Sequence, residues 1–370
     1  MTARRDSAGG RAAAPSRRVR VLVVEDSPTV RELLVAMLGG DPEIQIVGEA
    51  GNGLDAVREA VRLAPDIITM DVHMPGLDGL AATKQIMTEA PTPIIIVSST
   101  VNQRAVALSL DAMQAGALMI LPKPESPLAP NFEEQRAQLV RMVKAMAQVK
   151  VVRRWGGRTA RPVPPPPLAP PHRGGGAAAV RLVAVGCSTG GPAALRRILE
   201  ALPPAFPVPV AIVQHMARGF VRGLAQWLDG GGGVRVKVVE DGEPLLAGTA
   251  YLAADDRHFG VVRDAHDPRL VRARLDDGPP IDGFRPSATH LFASAARALG
   301  AGAAGVILTG MGRDGVDGLL DLRAAGAPVL AQDEASSVVY GMAREAVLAG
   351  AASEQLPLDM VAARLRELVA

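Results

Sequence analysis

The sequence predicts an α/β protein built from two doubly wound parallel-sheet domains joined by a Pro-rich linker. Three observations carry this. Short apolar runs alternate with helical patterns through residues 19–150, the composition shifts to Pro and Gly over 151–179, and the alternation resumes from Val180 to the C-terminus.

In the first half, strand-like runs fall at Val19–Val24, Ile44–Glu49, Asp66–Met70, Ile94–Ser98 and Ala117–Leu121, with helical stretches between them and a fifth at about Glu133–Val149. Residues 1–18 precede them and carry Arg4, Arg5, Arg11, Arg17 and Arg18 without the apolar core of a signal peptide. They read as a disordered tail. The linker contains Arg-Pro-Val-Pro-Pro-Pro-Pro-Leu-Ala-Pro-Pro and then a Gly/Ala tract, which cannot build a core and reads as a semi-rigid polyproline tether.

In the second half, strands are expected at Leu182–Val185, Val210–Gln214, Val234–Val238, Ala250–Leu252, Gly260–Val262, Leu270–Arg274 and Gly305–Leu308. Helices are expected at Gly191–Ala201, Ser287–Leu299, Val316–Ala325 and Asp359–Val369. Gly186–Gly191 reads as a tight turn between the first of these strands and the first helix, with Pro192 suited to the helix start.

Forty basic and 38 acidic residues nearly cancel, so the composition gives no sign of a nucleic-acid or membrane surface. No apolar run reaches the length of a membrane span, and no membrane insertion is expected. Cys187 is the sole cysteine, which excludes an intrachain disulfide framework and fits a cytoplasmic protein.

Neighbouring strands of a doubly wound sheet end at one rim, which is where such sheets bind ligands. Glu25 and Asp26 follow the first strand and Asp71 ends the third. Three converging carboxylates repel one another unless a hard cation sits among them, and Mg²⁺ is the obvious candidate. Lys123 and Ser98 reach the same rim after the fifth and fourth strands. Carboxylates, a metal, a hydroxyl and an ammonium suit a transferring phosphoryl group, with Asp71 as acceptor and Lys123 and Ser98 holding its oxygens. Singly, each acid is as well explained as a helix cap or a solvated loop residue.

The second half opens with Val-Gly-Cys-Ser-Thr-Gly-Gly-Pro at 185–192. Such a turn suits a phosphate cradle as well as a nucleophile. It lacks the spacing of a dinucleotide fingerprint and the Lys of a P-loop. A serine nucleophile needs a base, and the base an orienting acid. His215, in Gln-His-Met, and Asp314, in Leu-Thr-Gly-Met-Gly-Arg-Asp-Gly, both follow apolar runs and share the rim of Ser188. Cys187 is the competing nucleophile, but strand alternation points it away from that rim.

Together the motifs carry a resemblance. Val-Val-Glu-Asp-Ser-Pro-Thr-Val-Arg, Met-Asp-Val-His-Met-Pro-Gly-Leu-Asp-Gly, Val-Ser-Ser and Leu-Pro-Lys-Pro resemble a two-component receiver domain. Gly-Cys-Ser-Thr-Gly-Gly-Pro, Gln-His-Met, Phe-Arg-Pro-Ser and Leu-Thr-Gly-Met-Gly-Arg-Asp-Gly resemble the catalytic domain of the chemotaxis protein-glutamate methylesterases. The resemblance implies a flavodoxin-like receiver over 19–150 and a Rossmann-like methylesterase domain over 180–370. In the receiver, Asp71 would take phosphate from a histidine kinase. Glu25, Asp26, Asp71 and the His73 backbone carbonyl would hold Mg²⁺, and Ser98 and Lys123 would sense the phosphoryl group. The usual aromatic switch residue is replaced by Ile120.

In the second domain Ser188 would be the nucleophile, His215 the general base and acid, Asp314 the orienting carboxylate and Met311 an oxyanion donor. The substrates implied are γ-glutamyl methyl esters on chemoreceptor cytoplasmic helices, with deamidation of receptor glutamines beside them and no cofactor for hydrolysis. The receiver would cover the Ser188–His215 rim until phosphorylated. The alternative, from another class, is a phosphorylation-switched binding or scaffold protein without catalysis.

Overall fold

The structure is a computed structural model describing residues 17–99, 103–149, 151, 179–267 and 269–370. Almost all of the expected tail and linker lies outside the described residues. The first sheet is parallel, in the order β2-β1-β3-β4-β5. Its strands are β1 (Val19–Val24), β2 (Ile44–Ala50), β3 (Ile67–Met70), β4 (Ile94–Ser98) and β5 (Met119–Pro122). Helices α1 (Pro28–Gly39), α2 (Gly53–Leu63), α3 (Gly79–Glu89), α4 (Gln103–Ala115) and α5 (Phe132–Met146) cover both faces. Strands buried on both faces read as continuous apolar runs, which is why Val21–Val24 and Ile94–Val97 are legible in the sequence.

The second sheet is also parallel, in the order β15-β14-β13-β6-β7-β10-β8. It begins with β6 (Leu182–Cys187), α6 (Gly191–Ala201), β7 (Val210–Gln214), α7 (Val221–Asp229) and the edge strand β8 (Arg235–Val238). After β9 (Pro244–Leu245) and β10 (Thr249–Leu252) come β11 (His258–Arg263) and β12 (Val271–Asp276). Strands β11, β12 and β9 form a separate antiparallel sheet that the sequence reading did not separate from the main one. Then follow α8 (Ala288–Leu299), β13 (Ala303–Ile307), α9 (Val316–Ala324), β14 (Val329–Gln332), α10 (Met342–Leu348), β15 (Glu354–Leu356) and α11 (Leu358–Val369). Gly186 and Cys187 are the last residues of β6 and not part of the turn, which begins at Ser188.

The two halves pack against each other along α4 and β5. Val106 and Leu110 of α4 share one apolar cluster with Leu195 of α6 and with Val221 and Leu224 of α7. Trp227 Nε1 donates to Asp111 Oδ1 at 2.7 Å, and the Gly190 N–H donates to the Leu118 carbonyl at 3.3 Å. Gly223 permits this approach, since a Cβ there would lie 2.2 Å from Val106 Cγ1.

Helix α9 crosses α8 at a similar close point. A Cβ on Gly318 would lie 2.4 Å from the Thr289 carbonyl oxygen and 2.8 Å from Phe292 Cβ. Replacing a mid-helix glycine by alanine ordinarily gains about 1 kcal/mol. Here the backbone cannot yield without moving a helix, and overpacking costs about 1–3 kcal/mol. Gly318→Ala is therefore expected to lower the thermal unfolding midpoint, and a raised midpoint would contradict the close crossing.

Candidate active site and phosphoryl-acceptor site

Parallel pairing builds the rim of the second sheet. Cys187 of β6 lies opposite Gln214 of β7, so Ser188 and His215 are the next residues on adjacent strands. Gly186 lies opposite Ile307 of β13, which brings Thr309–Met311 to the other side of Ser188. The Ser188 N–H donates to the Thr309 carbonyl at 3.0 Å, and the His215 N–H to the Cys187 carbonyl at 2.9 Å. A Cβ on Gly310 would stand 2.8 Å from Ser188 Cβ, so only glycine lets this strand pass so close to the serine.

His215 Nε2 and Asp314 Oδ2 are 2.8 Å apart. With Asp314 anionic, Nε2 carries the ring proton and Nδ1 presents a lone pair. Nδ1 is buried and has no hydrogen-bond partner among the described residues. Asp314 is 1% exposed. It also accepts from Ser287 Oγ at 2.6 Å, the Ala288 N–H at 2.7 Å and the Thr289 N–H at 3.1 Å. Those backbone donors are the free N–H groups at the start of α8, whose dipole favours an anion there. Burial pushes the Asp314 carboxyl up, but hydrogen bonds and the charge of His215, with Ser287 and Ala288, outweigh it and hold it below the usual carboxylate range.

The sequence predicts Ser188, His215 and Asp314 at one rim and the resemblance adds Met311; the structure brings all four to that rim. Sequence reasoning assigns no role to three neighbours. The Phe284 ring stacks on His215 with centroids 4.0 Å apart and planes 6° from parallel. Ser287 caps α8 while donating to Asp314. The Gln214 side-chain amide donates to the carbonyls of Ser188 and His215, at 2.9 and 2.8 Å, tying the two turns together. Phe-Arg-Pro-Ser at 284–287 was the only available signal for the first two. Cys187 is buried, donates to Gln214 Oε1 at 3.1 Å, and has its thiol pushed well above the ordinary range by burial. That environment suits a structural thiol and not a thiolate.

At the rim of the first sheet, Glu25, Asp26 and Asp71 bring carboxylate oxygens within 4.8 Å of one another. Lys123 Nζ lies 2.9 Å from both Glu25 Oε1 and Asp71 Oδ2. Burial opposes the Lys123 charge, but the two carboxylates outweigh it and hold the ammonium above its ordinary range. Burial pushes Glu25 up to about 7. Glu25 Oε2 and Ser98 Oγ are buried without a hydrogen-bond partner among the described residues. An orphaned carboxylate oxygen beside two further acids is what a hard cation satisfies, so these residues fit Mg²⁺. His73 lies two residues beyond Asp71 with its side chain exposed.

Fold and sites together define a class: a receiver-type acidic pocket coupled to a domain with a Ser-His-Asp hydrolase arrangement. The comparisons agree. Residues 21–129 match the response regulator receiver domain and 183–365 the CheB methylesterase family. The protein-glutamate methylesterase/protein-glutamine glutaminase 4 of Myxococcus xanthus is 53% identical over 94% of this chain and 96% of its own length. That of Anaeromyxobacter dehalogenans numbered 3 is 51% identical over 94% and 98%. The Thermotoga maritima CheB methylesterase catalytic domain, a crystal structure, is 37% identical, with a TM-score of 0.50, covering 51% of this chain and 99% of that one. The chain belongs to the CheB family of receiver-linked protein-glutamate methylesterases/protein-glutamine glutaminases. Among the described residues, no helix is long and apolar enough to cross a membrane.

Asp314 links the site to stability. Its folded pKa lies below the unfolded value, so its contribution is complete above about pH 4 and is lost as pH falls through the folded pKa. The gap in unfolding midpoint between the wild type and Asp314→Asn should be widest near neutrality and narrow below about pH 4. A gap that widens on acidification would show that the carboxylate is not held in its charged form.

Proposed function

We propose that this chain hydrolyses γ-glutamyl methyl esters on chemoreceptors, deamidates receptor glutamines by the same chemistry, and is switched on by phosphorylation of its receiver. The observation that carries the reading is the His215–Asp314 pair, with Nδ1 unpartnered beside the strand end that bears Ser188.

Ser188 Oγ attacks the ester carbonyl while His215 Nδ1 takes its proton. Asp314 holds the ring and stabilises the imidazolium. The oxyanion is met by the backbone N–H of Met311, on the segment beside Ser188. His215 returns the proton to the leaving methoxide, releasing methanol and leaving a glutamyl ester on Ser188. Water, deprotonated by His215, then attacks that ester, and the proton passes to Ser188 as the carboxylate departs. With glutamine, ammonia leaves in place of methanol. Phe284 restricts the imidazole to its plane and keeps water off one face.

In the receiver, Asp71 accepts the phosphoryl group from a histidine kinase. Glu25, Asp26, Asp71 and the His73 carbonyl would hold Mg²⁺, which would supply positive charge between the carboxylate and the phosphoryl group. Lys123 and Ser98 Oγ then hold phosphoryl oxygens in place of the present Lys123 ion pairs. The partners are methylated receptor helices and the kinase, and the compartment is the cytoplasm.

Docking supports the regulatory part. Gly190, two residues after Ser188, donates to Leu118 of the receiver, and Met311, Val338 and Val339 pack on a receiver apolar cluster. The docked receiver thus lies against both sides of the catalytic rim. Phosphorylation would favour the released form by its differential interaction with the two states.

In methyl-release assays on methylated receptors, Ser188→Ala and His215→Ala should each abolish turnover, and the double variant should lose little more. Retained turnover in Ser188→Ala with loss in Cys187→Ala would reassign the nucleophile. Gly223→Leu, which wedges the seam at Val106, should raise unphosphorylated turnover at least about fivefold, since about 1–3 kcal/mol of overpacking falls on the docked state alone. An unchanged rate in a folded variant would argue against steric cover.

A further inference from the structure

Outside both sites a cleft of about 410 Å³ lies between β11, β12 and α8. Its floor is Gly260. Register puts Gly260 opposite Arg274, and a Cβ there would lie 2.9 Å from His290 Nε2. A mid-strand glycine gives up strand stability, and often marks a place where another group must approach the backbone. The missing side chain leaves a hollow between Arg274 and His290.

The walls are basic. Arg263, Arg274 and Arg297 line the cleft with a single carboxylate, Asp276, leaving two positive charges unbalanced. One Asp276 oxygen is already taken by the Gly278 N–H at 2.7 Å. Arg263 is anchored through Nε to the Ala298 carbonyl, which aims the rest of its fork. Among the described residues, most arginines end on a carboxylate or a carbonyl, as Arg257, Arg272, Arg285 and Arg364 do. Arg274 and Arg297 make no ion pair or hydrogen bond among the described residues, although both face one hollow. The His290 ring is held by stacking on His258, 4.8 Å between centroids, and has no hydrogen-bond partner for either nitrogen among the described residues. Like-charged forks converging on an open floor repel one another unless an anion lies between them.

We propose that this cleft is a binding site for a small ligand carrying clustered oxyanions, at least doubly charged. Arg274 and Arg297 grip it from two sides, and His290 donates one hydrogen bond from the back wall. Guanidinium forks match phosphoryl and carboxylate oxygens equally well. The site is separate from the Ser188 rim and from the Asp71 pocket. It belongs to the catalytic half and therefore remains whether the receiver is docked or released.

The test is calorimetric titration of the full chain, without Mg²⁺, with sodium pyrophosphate and separately with citrate. At about 150 mM NaCl, saturable one-site binding of either probe is expected, weakening as salt rises. The double variant R274S/R297S should lose at least about tenfold in affinity, as both charge-assisted forks go. These side chains are exposed, so the fold should stand. G260V, which fills the hollow without changing charge, should lose as much. Pyrophosphate against citrate separates a phosphoryl ligand from a carboxylate one. No saturable binding of either, or equal affinity in wild type and R274S/R297S, would overturn the site.

Discussion

Everything at the catalytic rim depends on the parallel register of β6 with β7 and β13. Because Cys187 stands opposite Gln214 and Gly186 opposite Ile307, three strand ends deliver Ser188, His215 and Thr309–Met311 to one place. A slip of one residue between β6 and β7 would separate serine from histidine by a strand repeat of roughly 3.3 Å and turn one side chain to the other face. The register is fixed by apolar residues buried on both faces, so the precision of the site rests on the core. Asp314 arrives by another route. It lies beyond β13 and is captured by the free N–H groups of α8, so a carboxylate and a helix start satisfy each other.

Much of this was legible because it is local. A buried parallel strand is an apolar run, and a residue just after it stands at the rim, so Asp71, Lys123, Ser188 and His215 were placed by counting along the chain. The helix starting at Ser287 was legible, but its donation to Asp314 was not, because the partners are 27 residues apart and meet only through packing. Phe284 on His215 and Gln214 across the two turns were hidden for the same reason. Strands β15 and β9 have only three and two residues, too short for a pattern. Glycine ordinarily breaks strands, so Gly186 and Cys187 look like turn in the sequence. Here Gly186 stays in β6 because Ala288 and Phe292 pack where its side chain would be.

The two halves are joined by more than a tether. Each has a rim that carries chemistry, and the seam runs from α4 and β5 of the receiver to α6, α7 and the turn after Ser188. The usual aromatic switch position is Ile120, which is buried in the same apolar cluster as the seam residues of α4 and α7.

The measurement that bears most directly on this account is methyl release from a methylated chemoreceptor by residues 180–370 alone, beside the unphosphorylated and phosphorylated full chain. If the docked receiver covers the Ser188–His215 rim, the isolated domain and the phosphorylated chain will both outpace the unphosphorylated chain. Equal rates for the isolated domain and the unphosphorylated chain would contradict steric cover and leave phosphorylation to act elsewhere.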